Sequence, residues 1–296
     1  MRLTFIHGRS QGRRSAVALR SEWLAALKRG LEAAGQPPLR DDLNVQLPFY
    51  ADVLDSLTSA SKPETERALS RGPDEGTSSF AADFILEIAR GAGIDDSEIS
   101  AELGSEPIER GVGNGPFVLA AGRLLDRKIP WLGGELLRRL TADVDAYLNR
   151  LDVRMAVHQI VAPAVVGEPT VVVGHSLGSI VSYSLLRECE DTTQVTLFVT
   201  IGSPLGMVTV KNRLQPRPLR CPRGVAAWFN ASDVRDRVAM VPRLDRDVFP
   251  AEIENVSDLH NPKDNPHGIS GYLADPIVAR HIAAALALAV VCGLRF

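Results

Sequence analysis

Short apolar segments recur along the chain with the spacing of strands in an α/β protein. Residues 170–173 are apolar and β-branched, which is typical of a strand covered on both faces of a parallel sheet. Residues 195–201 have the same character, whereas residues 43–47 alternate between apolar and polar side chains. The predicted strands are residues 3–6, 43–47, 170–173, 195–201, 225–230 and 253–256.

Between the predicted strands, apolar residues recur at the helical period. Leu19, Trp23 and Leu27 share one face of a helix predicted over residues 15–34, which Gly35 ends. Further helices are predicted at residues 79–89, 136–161, 180–186 and 276–291. Strands that alternate with helices predict a three-layer α/β fold with a mostly parallel sheet, which binds ligands at the carboxyl ends of its strands.

The rhythm of strands and helices is lost over residues 55–130. Ser, Gly, Pro and charged residues dominate there, and residues 74–109 hold ten acidic side chains against the single basic side chain of Arg90. The segment has too few apolar residues for a core of its own. It is therefore predicted as an insertion or lid within a single domain of residues 1–296.

Composition narrows the class of protein. The 296 residues are 45% hydrophobic with a net charge of −3, which fits one large globular domain and gives no reason to expect nucleic acid as a partner. Three cysteines are too few for a disulfide framework or a zinc site, and no signal-peptide pattern precedes the first strand, so a cytoplasmic location is expected. The apolar segment 282–292 is too short to span a bilayer, so stable membrane insertion is not expected.

The candidate chemistry centres on the sequence Gly174-His175-Ser176-Leu177-Gly178. Ser176 directly follows the apolar strand and precedes a helical segment, so the turn strains its backbone and the flanking glycines relieve the crowding. This position directs the hydroxyl toward a helix N-terminus, where negative charge is favoured. Ser176 is the predicted nucleophile, and the alternative is a serine that only caps the helix.

This strand–serine–helix sequence resembles the nucleophile elbow of the α/β-hydrolase superfamily, in particular of its serine esterases and lipases. The resemblance extends from Leu3 to about Ala289, apart from the insertion. It implies a three-layer α/β/α sandwich with a helical lid, in which the nucleophile is followed along the chain by an acid and then a histidine. The elbow and this order are typical of the superfamily but do not indicate a substrate.

The resemblance places the general base in a turn-rich loop before the closing helix. His267 lies in such a loop, and Tyr272 supplies the aromatic residue that often follows the base by three to six positions. His267 is therefore the predicted base, with His260 as the reserve candidate.

The acid is expected in the loop after residues 225–230, where the chain offers Asp233 and Asp236. The sequence Asp236-Arg237-Val238 resembles the family pattern, although Arg237 stands where Pro is frequent. Asp236 is the predicted acid, which would hold the imidazole in the correct tautomer. Asp233 remains the alternative, and whichever of the two is not the acid is expected to cap the turn.

An oxyanion hole needs two backbone N–H groups directed at the developing negative charge. The resemblance implies that one belongs to Leu177 and the other to the loop after the first strand, where Arg9 is favoured over Ser10. The pair His7-Gly8 resembles the His-Gly pair of that family loop, and the Gly202–Gly206 turn resembles a turn that shapes the acyl pocket. The residues predicted to contact substrate are Gly8, Ser10, His175, Pro204 and Leu205.

Together these features predict a serine hydrolase that cleaves a small-molecule or lipid-like carboxylic ester without a metal or an organic cofactor. An acyltransferase or a peptidase could use the same triad, and a non-catalytic interaction module could use the same fold. Residues 211–223 contain five basic residues and no acid. They predict either recognition of an anionic substrate group or a solvated loop. The sequence leaves the oligomeric state open.

Overall fold

The computed structural model describes residues 1–8, 15–59, 80–104 and 115–292. The chain forms two compact units. The first unit comprises Met1–Ala51, Met155–Gly206 and Leu214–Phe296, and the second comprises Asp52–Arg154 and Met207–Arg213. The second unit therefore has wider bounds than the predicted insertion of residues 55–130.

The first unit contains a parallel sheet, which has six strands within the described residues. The strands are β1 Arg2–Ile6, β2 Asn44–Gln46, β3 Thr170–His175, β4 Val195–Ile201, β5 Trp228–Asp233 and β6 Glu254–Leu259. Their order is β2-β1-β3-β4-β5-β6, and every neighbouring pair is parallel. The predicted α/β class with a parallel sheet is confirmed. The main displacement is in β5, because Val225 makes only an isolated bridge to Val195 before the strand begins.

Eleven α-helices lie within the described ranges. They are α1 Ala16–Ala33, α2 Ala51–Ser59, α3 Phe80–Gly91, α4 Asp96–Leu103, α5 Gly115–Lys128, α6 Gly134–Asn149, α7 Leu151–Val161, α8 Leu177–Glu188, α9 Val208–Lys211, α10 Ile269–Ala274 and α11 Pro276–Cys292. The helix predicted over residues 136–161 is divided into α6 and α7, because Arg150 has an extended backbone. Within the described residues, none of these helices is long and apolar enough to cross a membrane.

Alternate residues of the central strands are buried on opposite faces of the sheet. Phe5, Val173 and Val199 belong to a core cluster that also contains Trp23 of α1 and Ile282 of α11. On the other face, Phe198 of β4 and Tyr183 of α8 pack against the Trp228 ring of β5 at centroid distances of 4.9 and 5.8 Å. Burial on both faces explains why β3 and β4 are continuously apolar in sequence.

Helix α1 begins at a polar cap. The Ser15 hydroxyl accepts a hydrogen bond from the Ala18 amide at 3.2 Å, and Ser15 itself has extended backbone angles. Ser15→Ala is expected to lower the free energy of unfolding by about 1 kcal/mol, because one N–H group of the first turn loses its acceptor. Urea unfolding measures this effect. Ser21→Ala, at an exposed position inside the same helix, is the matched control, and equal losses from both substitutions would argue against the cap.

The second unit contains more helix than the sequence pattern predicts. One helix is predicted at residues 79–89, whereas the unit contains α3, α4 and α5 between residues 80 and 128. Helices α3, α5 and α6 contact one another, and Phe84, Phe117 and Tyr147 on them are buried. Glu87 of α3 also accepts the Val208 and Thr209 amides at the start of α9. The apolar residues of this segment are few but are concentrated on helical faces, which a count of composition misses.

Candidate active site

Ser176 lies between the end of β3 and the start of α8 with φ 55° and ψ −128°. Among the described residues, it is the only non-glycine residue with a positive φ. Its amide donates to the Ile201 carbonyl at 3.3 Å, and its carbonyl accepts the Ser179 amide at 2.9 Å and the Ser179 hydroxyl at 2.6 Å. Such a conformation costs on the order of 1–3 kcal/mol and persists only where the surroundings impose it.

Three glycines make this turn possible. A Cβ on Gly174 would lie 2.8 Å from the Ser179 Cα atom, and a Cβ on Gly178 would lie 2.1 Å from the Ile6 carbonyl oxygen. A Cβ on Gly8 would lie 2.8 Å from the Ser176 Cβ atom and 3.4 Å from its hydroxyl oxygen. The predicted substrate contact Gly8 therefore lies directly against the predicted nucleophile.

His267 and Asp236 form a hydrogen-bonded pair. The His267 Nδ1 atom lies 2.8 Å from Asp236 Oδ2, and since an ionised carboxylate can only accept, Nδ1–H is the donor. Asp236 is buried, and its second oxygen accepts the Val238 and Ala239 amides at 2.9 and 3.3 Å. Burial acts to raise the pKa of Asp236, but the His267 ring and the hydrogen bonds to the carboxylate hold that pKa below its usual range.

The His267–Asp236 pair lies beside the residues that flank the serine turn. Gly202 follows Ile201, the residue whose carbonyl accepts the Ser176 amide. A Cβ on Gly202 would lie 3.0 Å from Asp236 Oδ2 and 3.2 Å from His267 Nδ1. Ser176, Asp236 and His267 follow β3, β5 and β6 along the chain, so all three belong to the carboxyl-end edge of the parallel sheet, as does Gly202 after β4.

His175 points at the histidine loop. Its Nε2 atom lies 2.8 Å from the His267 carbonyl oxygen, and the two imidazole rings are 4.7 Å apart. Burial, followed by the nearby His267, lowers the pKa of His175 to about 3. The ring is therefore neutral, and its Nε2–H donates to the loop of His267. His175 thus contacts the loop of the predicted base, and its predicted contact with substrate stays a prediction.

The alternative candidates occupy different surroundings. Asp233 accepts the Arg235 amide, lies 2.9 Å from the Arg235 guanidinium in an ion pair, and accepts the Asn261 amide. These bonds fix the turn after β5. His260 is exposed on the surface.

The first-strand loop is only partly described, because Arg9 and Ser10 lie outside the described residues. Leu177 is the first residue of α8, so its N–H is among those that lack an intrahelical acceptor. His7 is buried, its Nδ1–H donates to the Gly8 carbonyl, and its Nε2 accepts the Tyr50 amide at 3.3 Å. Burial lowers the pKa of His7 to about 4, so it is a neutral hydrogen-bonding residue in this loop.

Pro204 and Leu205 lie in a buried turn of 3₁₀ helix, Pro204–Gly206. The Ser203 hydroxyl accepts the Leu205 amide at 3.2 Å and lies 2.7 Å from the Ser179 hydroxyl. The predicted pocket-forming residues are thus connected to the helix that follows Ser176.

Part of the positive charge in residues 211–223 is neutralised within the first unit. Glu190 lies 2.6 Å from the Arg220 guanidinium and 3.8 Å from that of Arg223, and it also pairs with the buried Arg187 at 2.8 Å. In the second unit, the charge of Arg213 acts to lower the pKa of Asp145, although burial raises that pKa overall. Arg220 and Arg223 thus have an ion-pairing role within the first unit.

The described residues contain no group of His, Cys, Asp and Glu side chains arranged to hold a metal ion. Comparisons of the chain with protein-family models, with curated proteins and with solved structures find no match.

Sequence reasoning missed two features of the site. The sequence pattern predicts an aromatic residue after His267, but not that the Tyr272 hydroxyl lies 2.7 Å from Asp236 Oδ2. It also predicts a role for the Gly202 turn in the acyl pocket, whereas Gly202 lies against the His267–Asp236 pair. The Gly-Ser-Pro sequence directly after a buried strand was the available signal for Gly202, and only the fold could reveal the contact of Tyr272.

Proposed function

We propose that the protein is a serine hydrolase of the α/β-hydrolase type that cleaves carboxylic esters. Ser176 is the nucleophile, His267 the base and Asp236 the acid. The observation that carries this proposal is the strained Ser176 at a strand-to-helix turn, on the sheet edge that also carries the hydrogen-bonded pair of His267 and the buried Asp236. The parallel sheet supports the proposal that the first unit is a three-layer sandwich. The second unit, most of which lies between β2 and β3 in the chain, is proposed to be the lid.

The hydrogen-bond pattern supports a two-step mechanism. Because His267 Nδ1–H donates to Asp236, Nε2 carries the lone pair that accepts the Ser176 proton as Oγ attacks the acyl carbon. The Leu177 N–H at the start of α8 stabilises the resulting oxyanion. His267 then returns the proton to the leaving alcohol oxygen as the ester C–O bond breaks. Water, deprotonated by His267, next attacks the acyl-enzyme and releases the carboxylic acid and free Ser176.

A substrate with a neutral acyl group, small or lipid-like, is favoured over an anionic one. Glu190 lies 2.6 Å from the Arg220 guanidinium and 3.8 Å from that of Arg223, so this carboxylate already competes with an anionic substrate for these two side chains. The proposed reaction uses only side chains and backbone amides of this chain, and it calls for no cofactor.

Intact-protein mass spectrometry after treatment with a fluorophosphonate tests the nucleophile. The wild-type chain is expected to gain one adduct, Ser176→Ala none, and Ser184→Ala, a buried serine on the same helix α8, one adduct like the wild type. Hydrolysis of a series of p-nitrophenyl esters of increasing acyl length then defines the substrate range. A folded wild-type chain that neither forms the adduct nor hydrolyses any ester would refute the proposal and favour a non-catalytic interaction module.

A further inference from the structure

Tyr272 on α10 is fully buried and follows His267 by five residues. Its hydroxyl accepts the Asp233 amide at 3.0 Å and lies 2.7 Å from Asp236 Oδ2. A backbone amide can only donate and an ionised carboxylate can only accept. The hydroxyl proton of Tyr272 is therefore directed at Asp236, on the same oxygen that accepts His267 Nδ1–H.

We propose that Tyr272 is a positioning residue that fixes the Asp236 carboxylate against His267 and limits how strongly that carboxylate holds a proton on the imidazole. This inference rests on the proposed serine hydrolase function. Tyr272 acts through Asp236 and has no contact with the reacting atoms in this assignment.

Four hydrogen bonds hold the Asp236 carboxylate in one orientation. Oδ1 accepts the Val238 and Ala239 amides, and Oδ2 accepts His267 and Tyr272. With both oxygens engaged, rotation of the carboxylate would break bonds on each side. A hydroxyl donor on Oδ2 also withdraws negative charge from the oxygen that faces His267, so the imidazolium is stabilised less than it would be by an unshared carboxylate.

Tyr272 is suited to remain a donor over the working pH range. Burial and the Asp236 carboxylate raise the pKa of Tyr272 well above its ordinary value. The other titratable groups that face the pair are compensated. His175 is neutral because burial and His267 lower its pKa to about 3, and the charge of Asp233 is paired with Arg235 at 2.9 Å. Removal of the Tyr272 hydroxyl is thus expected to increase the negative charge that Asp236 Oδ2 presents to His267.

Tyr272→Phe tests the inference, with Tyr183→Phe as the matched control. Tyr183 is another buried tyrosine of the first unit, and its hydroxyl bonds to the Arg187 guanidinium and the Arg220 carbonyl rather than to Asp236. The measurement is the pH dependence of kcat/KM for a p-nitrophenyl ester, together with urea unfolding of each variant.

In Tyr272→Phe the acid limb of the pH profile is expected to move about 0.5 to 1 pH unit upward, since one hydrogen bond to a charged group is lost. The value of kcat is expected to fall roughly three- to tenfold, because Asp236 is held less firmly. Tyr183→Phe is expected to leave the pH profile at its wild-type position while losing a comparable amount of stability. A Tyr272→Phe profile that coincides with the wild-type profile would overturn the inference.

A second measurement separates failure of this inference from failure of the proposed function. In ¹⁵N-histidine NMR spectra, the signals of His267 are assigned by their absence from His267→Gln. Tyr272→Phe is expected to keep His267 doubly protonated to a higher pH than the wild type, whether or not the protein hydrolyses esters. An unchanged His267 titration would overturn the role of Tyr272, whereas a shifted titration in a chain without activity would refute only the proposed function.

Discussion

Asp236→Asn is expected to lower kcat for ester hydrolysis about 10⁴-fold without unfolding the protein. Asn is close in size to Asp, so the Val238 and Ala239 amides can still bind its carbonyl oxygen. The side-chain NH₂ group of the introduced asparagine then takes the place of Oδ2 and donates a hydrogen bond to His267, whereas the carboxylate oxygen accepted one. This donor favours the His267 tautomer whose Nδ1 is unprotonated and accepts the hydrogen bond. In that tautomer Nε2 carries the proton and cannot accept the one from Ser176.

Asp233→Asn is the matched control for this experiment, because Asp233 is a buried aspartate at the end of β5, three residues before Asp236, with a different set of partners. Its loss is expected to cost about 1–3 kcal/mol of stability, since the bonds to Arg235 and the Asn261 amide are weakened. The value of kcat for the folded fraction is expected to change little. Steady-state kinetics and urea unfolding of both variants measure these effects. A large loss of kcat in Asp233→Asn with none in Asp236→Asn would make Asp233, and not Asp236, the acid.

The strands of the sheet could be predicted because each signal was local. Residues 170–173 and 195–201 are apolar on both faces, and both stand in the sheet at their predicted positions as β3 and β4. Strand β5 was displaced because Val225 is as apolar as a strand residue, while the hydrogen bonds that define β5 begin at Trp228. The helix content of the second unit was underestimated, because short amphipathic helices contribute few apolar residues to the composition of a segment.

The serine turn could also be predicted, because its geometry restricts which residues can occupy neighbouring positions of the sequence. Only small residues fit at positions 174 and 178, and this requirement produces the two glycines around Ser176. The sequence does not restrict the choice between Asp233 and Asp236 in the same way. Both aspartates lie at the carboxyl end of β5. The direction in which each carboxylate points depends on Arg235, Asn261 and Tyr272, which are brought together only by the fold.

The role of His175 shows the same limit. Its position next to the predicted nucleophile predicts a substrate contact, which stays a prediction, but does not reveal which protein groups the ring contacts. The strand alternation of β3, however, directs successive side chains to opposite faces of the sheet. His175 therefore contacts Trp23 and the His267 loop inside the protein, with ring centroids 6.1 Å from Trp23.

Gly178→Ala is expected to lower the free energy of unfolding by about 3 kcal/mol or more and to abolish labelling by a fluorophosphonate. The added Cβ would lie 2.1 Å from the Ile6 carbonyl oxygen and 2.6 Å from that of His7. Both atoms belong to the main chain at the end of β1, so no side-chain rotation can relieve the overlap. Helix α8 would have to move away from β1 and take the Ser176 turn with it.

Gly122→Ala is the matched control. Gly122 also lies in a helix, but a Cβ there would meet no atom of another part of the described chain within 4 Å. That substitution is expected to raise the free energy of unfolding by roughly 0.5–1 kcal/mol, because alanine is more stable than glycine in the interior of a helix. Urea unfolding and adduct mass measure both variants. Similar stability changes at the two positions would mean that α8 does not approach β1 as closely as the serine turn requires, and the strained geometry of Ser176 would lose its structural cause.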